Sequence, residues 1–175
     1  MNTPRALLIT AVTASSAFAV PGITVIGPTK STVNVPKALA TVIAVNRPKT
    51  QVPIRLPNRF VNDIALTDPG ITGEATTTSY GFEIDAAPDC GGANACFVAL
   101  FEGRKGSKIL AKVNVTLARG IRGRYDAFTC GASCGPNSIT WVQNGSVYGI
   151  QMKGIAGKRG SMIAMANQAI TAGPR

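Results

Sequence analysis

Asn144-Gly145 constrains this chain more than any other feature of its sequence. A two-residue loop of this kind takes a type I′ turn, in which both central residues adopt positive φ, and that turn joins adjacent antiparallel strands. Counting outward pairs Gln143 with Ser146, Val142 with Val147 and Trp141 with Tyr148, and sets Ile139 opposite Ile150. Ile139, Trp141, Tyr148 and Ile150 then share one face, and an aromatic cross-strand pair flanked by isoleucines reads as a core face. The hairpin over 139–150 therefore predicts an antiparallel sheet with one buried side.

The neighbouring segments extend this pattern. Residues 79–86 alternate Tyr80, Phe82 and Ile84 against Glu83 and Asp85, the period-2 signature of a half-buried strand, and 96–102 reads as its hairpin partner. Residues 112–117 alternate Val113, Val115 and Leu117 with polar positions, and 120–128 reads as a further strand. Near the end, Met162, Met165, Ala166 and Ala169 recur at helical spacing behind Ser161, which reads as an N-cap. The predicted class is α+β: an antiparallel β-sheet with a C-terminal helix packed on it, preceded by a Pro-rich extended N-terminal arm. Six of the eleven prolines fall at Pro21, Pro28, Pro36, Pro48, Pro53 and Pro57. Proline removes a ladder donor and fixes its own φ, so 20–57 is expected to be extended, with short edge strands at the β-rich stretches 23–26 and 41–45.

The first 19 residues have the parts of a signal peptide. Arg5 supplies the positive start, 6–14 an apolar run, and Ala17-Phe18-Ala19 a small-residue cleavage site after Ala19. The run is short of the ~20 residues of a bilayer span, and no later stretch is long enough, so no transmembrane anchor is expected in the mature chain. The expected organisation is a signal peptide over 1–19, the arm over 20–57 and a disulfide-stapled α+β domain over 58–175. The expected location is secreted or periplasmic.

Cys90, Cys96, Cys130 and Cys134 are an even set, which in an exported chain reads as disulfides. Pairing within the Gly-rich loops, Cys90–Cys96 and Cys130–Cys134, is favoured, while the crossed connectivities stay open. The chain has no histidine. That removes His-based acid/base catalysis, Ser-His and Cys-His nucleophile pairs and most zinc sites, and no cofactor is expected.

Charge points elsewhere. Lys and Arg number 18 against 8 Asp and Glu, a formal net charge of +10. The densest run holds Arg104, Lys105, Lys108, Lys112, Arg119, Arg122 and Arg124, with no acid between Glu102 and Asp126. Basic side chains in that density suit phosphate or carboxylate groups; a solvated sheet face is the plainer account of the same residues. Exposed aromatics that stack on bases are scarce nearby, so no specific nucleic acid is expected as partner. Glu83 and Asp85, on one face of one strand, are the candidate pair for carboxylate chemistry.

The joint order of PDCGGANAC, VTLARGIRG, TCGASCGPNSITWVQNGSVYGIQMKG and MIAMANQAI, from about Tyr80 to Ile170, resembles exported proteins of cyanobacterial type. The last of these segments is also similar to the end of a domain found in envelope lipoproteins and sigma-factor regulators. The resemblance implies a compartment and an architecture and assigns no residue a role. The resulting expectation is a basic, non-catalytic protein of the cell envelope or extracellular space. Its expected partner is an acidic polysaccharide or an anionic envelope surface, and its oligomeric state is left open. A carboxylate-based enzyme using Glu83 and Asp85 is the alternative.

Overall fold

The computed structural model describes residues 30–63, 66–90, 94–106, 108–109, 112–130 and 134–175. The expected leader and the expected strand at 23–26 lie outside these residues. The described residues open with β1 (Ser31–Asn34), α1 (Val35–Ala38), α2 (Ala40–Asn46) and a 3-10 turn (Arg47–Lys49). Then follow β2 (Arg59–Asn62), β3 (Gly70–Thr76), β4 (Ser79–Asp85), β5 (Phe97–Lys105), β6 (Val115–Thr116) and β7 (Arg122–Asp126). The last elements are β8 (Thr129–Cys130), β9 (Cys134–Gly135), β10 (Asn137–Gln143), β11 (Ser146–Met152) and α3 (Arg159–Ala172).

Seven strands form one antiparallel sheet in the order β3-β4-β5-β11-β10-β7-β6. The β10–β11 hairpin has the register counted from its turn, with Trp141 opposite Tyr148 and Ile139 opposite Ile150. Asn144 and Gly145 take φ of +51° and +72°. A Cβ at Gly145 would meet no atom within 4 Å, so backbone conformation alone reserves the position for glycine. Gly145→Val is expected to cost about 1–2 kcal/mol, the penalty of holding a β-branched L-residue at left-handed φ. Urea unfolding followed by circular dichroism measures it, and an unchanged midpoint would contradict this account of the turn.

One face of the sheet is the core. Tyr80, Phe82 and Ile84 of β4 meet Phe101 of β5, and Tyr148, Ile150 and Met152 of β11 meet Ile139 and Trp141 of β10, all of them buried. Each such side chain contributes about 1.5–3 kcal/mol through the apolar surface it removes from water. The C-terminal helix α3 closes this face with Met162, Met165, Ala166, Ala169 and Ile170, a stripe at i, i+3, i+4, i+7 and i+8. Its amides fix its position: Asn167 Oδ1 accepts from Ala118 N at 2.6 Å, and Gln168 Oε1 accepts from Asn58 N and Arg59 N at 3.0 and 3.1 Å. The helix begins before the expected N-cap. Lys158 holds the cap position without a side-chain hydrogen bond, and Ser161 lies inside the first turn. Packing of the apolar stripe, rather than a capping side chain, sets where it starts.

The N-terminal segment departs from the expectation of strands separated by prolines. Ser31–Asn34 is a short strand paired with β2, but the β-rich stretch 41–45 lies within helix α2. Two features overcome β-propensity there. Asn34 Oδ1 caps α1 by accepting from Lys37 N at 3.1 Å, and Pro36 occupies the first turn, where its missing N–H removes no hydrogen bond. Val35, Leu39, Val42, Ile43 and Asn46 then recur at helical spacing on the packed side, while Val45 points out. Tertiary burial outweighs the preference of valine and isoleucine for strands. Val35, Leu39, Val52, Ile54 and Leu56 join the same core as the sheet.

Cys90 and Cys96 are disulfide-bonded, which removes the crossed connectivities. Cys130 is also disulfide-bonded and stands opposite Cys134 in the β8–β9 pair. Cys90 with Cys96, and Cys130 with Cys134, lie at one end of the sheet, where β4 ends and β5 begins and where β7 ends and β10 begins. This cystine end lies opposite the turn end, which carries Thr77–Thr78 and Asn144–Gly145.

Candidate functional site

The side of the sheet away from the core is built by the alternate residues of the same strands, and register sorts them into rows running across it. Nearest the turn end, Thr76, Ser79, Arg104, Val147 and Val142 align, with Arg122 at the next position along β7. The second row is Glu74, Gly81, Glu102, Gly149, Thr140 and Arg124. The third is Thr72, Glu83, Leu100, Gln151, Ser138 and Asp126. Successive rows are about 7 Å apart along the strands. Charge is graded along that direction. The first row carries only arginines, and carboxylates enter from the second row onward.

The seven basic residues singled out from sequence do not form one flat patch. Arg104, Arg122 and Arg124 belong to the face just described. Lys105 points to the opposite side, where its Nζ donates to Gln51 Oε1 at 2.6 Å. Arg119 sits in the 3-10 turn Ala118–Gly120 with φ of +59°, beyond the start of β7. Lys108 and Lys112 are exposed in the connection from β5 to β6, which leaves the hairpin tip through the Gly106 N to Gly145 O bond of 3.0 Å. Arg124 is occupied: it pairs with Asp126 at 2.5 Å and donates to Lys112 O at 2.9 Å. Arg104, Lys105, Lys108, Arg119 and Arg122 remain exposed toward the turn end.

Sequence reading missed two residues there. Arg47 and Lys49 follow α2, and their turn is carried alongside β3 to the turn end by the Asn46 Nδ2 to Gly73 O bond of 3.2 Å and the Gln51 N to Thr77 O bond of 3.1 Å. Their signal was a basic pair at a helix C-terminus, where the helix dipole favours cations, but it is legible only once 40–46 is known to be helical. The five aspartates, Asp63, Asp68, Asp85, Asp89 and Asp126, all lie toward the cystine end. Asp85 pairs with Gly70, Asp126 with Ser138, and Asp63 adjoins Gly154.

The candidate carboxylates stay in side-chain contact, Asp85 hydrogen-bonding with Glu83, but only Glu83 reaches open space. Glu83 lines a groove of about 470 Å³ on the open face, together with Glu74, Glu102, Arg104 and Thr140. The bare backbone of Gly81 and Gly149 makes its floor, and Glu102 lies across Gly149, where a Cβ would stand 2.8 Å from its Cγ. Desolvation raises the Glu83 carboxyl above the usual carboxylate range, and the Asp85 charge pushes it the same way. Asp85 itself is buried at the irregularity where β4 shifts register against β5. It does not line the groove. Trp141 and Tyr148 are buried in the core, so neither offers a stacking surface to a ligand.

Among the described residues, no helix is long and apolar enough to cross a membrane, and no three acidic, cysteine or histidine side chains converge on a metal-sized space. Compared with family models, with curated proteins and with solved structures, the chain matches none.

Proposed function

We propose that the protein is exported and non-catalytic, and that it holds an anionic component of the envelope or extracellular matrix through the turn end of its sheet. The observation that carries this reading is charge segregation: Arg104, Lys105, Lys108, Arg119 and Arg122 are exposed there, and the aspartates lie at the other end. Separation of charge by tens of ångströms along a rigid sheet orients a molecule in an external field and concentrates it at surfaces of opposite sign.

Chromatography on an acidic polysaccharide such as heparin tests the reading. Exposed electrostatic contacts are screened over about 8 Å at physiological salt, so retention should fall steeply as salt rises. Arg104→Gln with Arg122→Gln is expected to elute at clearly lower salt than Lys153→Gln with Lys158→Gln, which removes equal charge from the cystine end. Elution of the unaltered protein no later than a basic control protein of equal net charge would reject the proposal.

Carboxylate chemistry is the second reading, and the raised Glu83 carboxyl in its groove favours it. Against it stands the burial of Asp85, whose carboxyl contacts Glu83 but does not line the groove.

A further inference from the structure

We infer, resting on the binding role proposed above, that the partner is a planar anionic lipid surface met end-on, with Arg47 and Lys49 belonging to the contact. Three observations carry the inference. The exposed cations at the turn end do not follow one face of the sheet. Arg104 and Arg122 leave from the open face and Lys105 from the core side, while Arg119 lies beyond the β6–β7 edge and Arg47 with Lys49 beside the β3 edge. From β3 to β6 that collar spans about 29 Å, six interstrand spacings. Cations spread around the end of a sheet meet a plane laid across the strand ends. A linear polymer follows a stripe, and one laid along the open face would run onto Glu74 and Glu102 in the very next row.

The third observation is apolar. Val45, in the last turn of α2 and two residues from Arg47, is 56 % exposed. An apolar side chain beside a basic pair suits the interfacial zone of a bilayer, where hydrocarbon and headgroup charge are both at hand. A hydrated acidic glycan offers it less.

The experiment is co-sedimentation of the purified mature protein with vesicles of phosphatidylcholine alone or with phosphatidylglycerol, alongside heparin binding in the same buffer. Binding to the phosphatidylglycerol vesicles only is expected. Arg47→Gln and Lys49→Gln should each lower vesicle affinity about five-fold, the typical weight of one basic side chain at an anionic membrane. The control pair Lys153→Gln and Lys158→Gln should change it less than about two-fold, because the cystine end is held beyond a Debye length from the membrane. Heparin binding without vesicle binding overturns the lipid inference and leaves the proposed function standing. Binding to neither defeats both. Equal losses from the two pairs of substitutions overturn the end-on orientation.

Discussion

Trp141→Ala is expected to remove about 3–5 kcal/mol of folding stability, the usual cost of deleting a large aromatic from a packed core. Trp141 is fully buried, stacked on Tyr148 with ring centroids 5.5 Å apart, and faces Gly123 on its other side. The far side of the stack is charged: the Arg55 guanidinium lies 5.7 Å from the Tyr148 ring centroid. Arg55 is itself buried and donates to Ile170 O at 3.4 Å, so the stack ties the centre of the sheet to the end of α3. Truncation leaves a cavity under the helix and loosens the ring on which a buried cation rests. A loss of this size is a large share of the roughly 5–15 kcal/mol that holds a domain together. Because Trp141 is the only tryptophan, the unaltered protein should show a single blue-shifted emission protected from iodide. Stability of the variant is read by circular dichroism in urea. Water-like emission, or a midpoint that does not move, would show that the hairpin does not sit in the core.

Gly103→Val is expected to destabilise by about 3 kcal/mol, the upper part of the range for overpacking a well-filled interior. Gly103 stands on the core face of β5 between Tyr80 and Tyr148. A Cβ there would press on the Tyr80 ring, with Cζ at 2.8 Å and Oη at 3.0 Å. The ring has no easy retreat. Its hydroxyl accepts from Arg55 N at 3.0 Å and donates to Arg55 O at 3.2 Å, and the ring stacks on Phe82 at 5.2 Å. Burial also keeps the phenol protonated far above its usual range, so it remains a donor at any ordinary pH. The distinguishing test is a double-mutant cycle. If Tyr80 is what the valine strikes, Tyr80→Ala with Gly103→Val should cost less than the sum of the single changes, and strict additivity would refute the clash.

How much of this was legible in the sequence depends on the range of the interactions involved. The β10–β11 register followed from one dipeptide, because a type I′ turn fixes every pair beyond it. The α3 stripe and the half-buried β4 followed from periodicity, and pairing of Cys90 with Cys96 from the Gly-rich segment between them. Strand order did not follow. The hairpin inserts between β5 and β7, so the segments on either side of residues 106–114 are neighbours in sequence but not in the sheet. Helix α2 was hidden because its residues favour strands when considered singly and only the packed side of the helix shows their common purpose.

The same distinction governs the site. Arg104 to Arg124 form one basic run in sequence, but topology sends Lys105 to the far side, engages Arg124 with Asp126 and brings in Arg47 and Lys49 from more than fifty residues away. Composition had indicated attraction to anions. The direction in which that attraction points belongs to the fold.

Helix α2 has an effect beyond its part in the core. It lies along β3, the seven-residue strand at the margin of the sheet, with Val42 against Gly73 and the Asn46 amide on the Gly73 carbonyl. A bare strand in that position is a template on which another chain can hydrogen-bond. Here an incoming strand must first break the amide contact at the middle of β3. Pairing of a second chain along this margin is thus opposed at its midpoint by a side chain of the same protein.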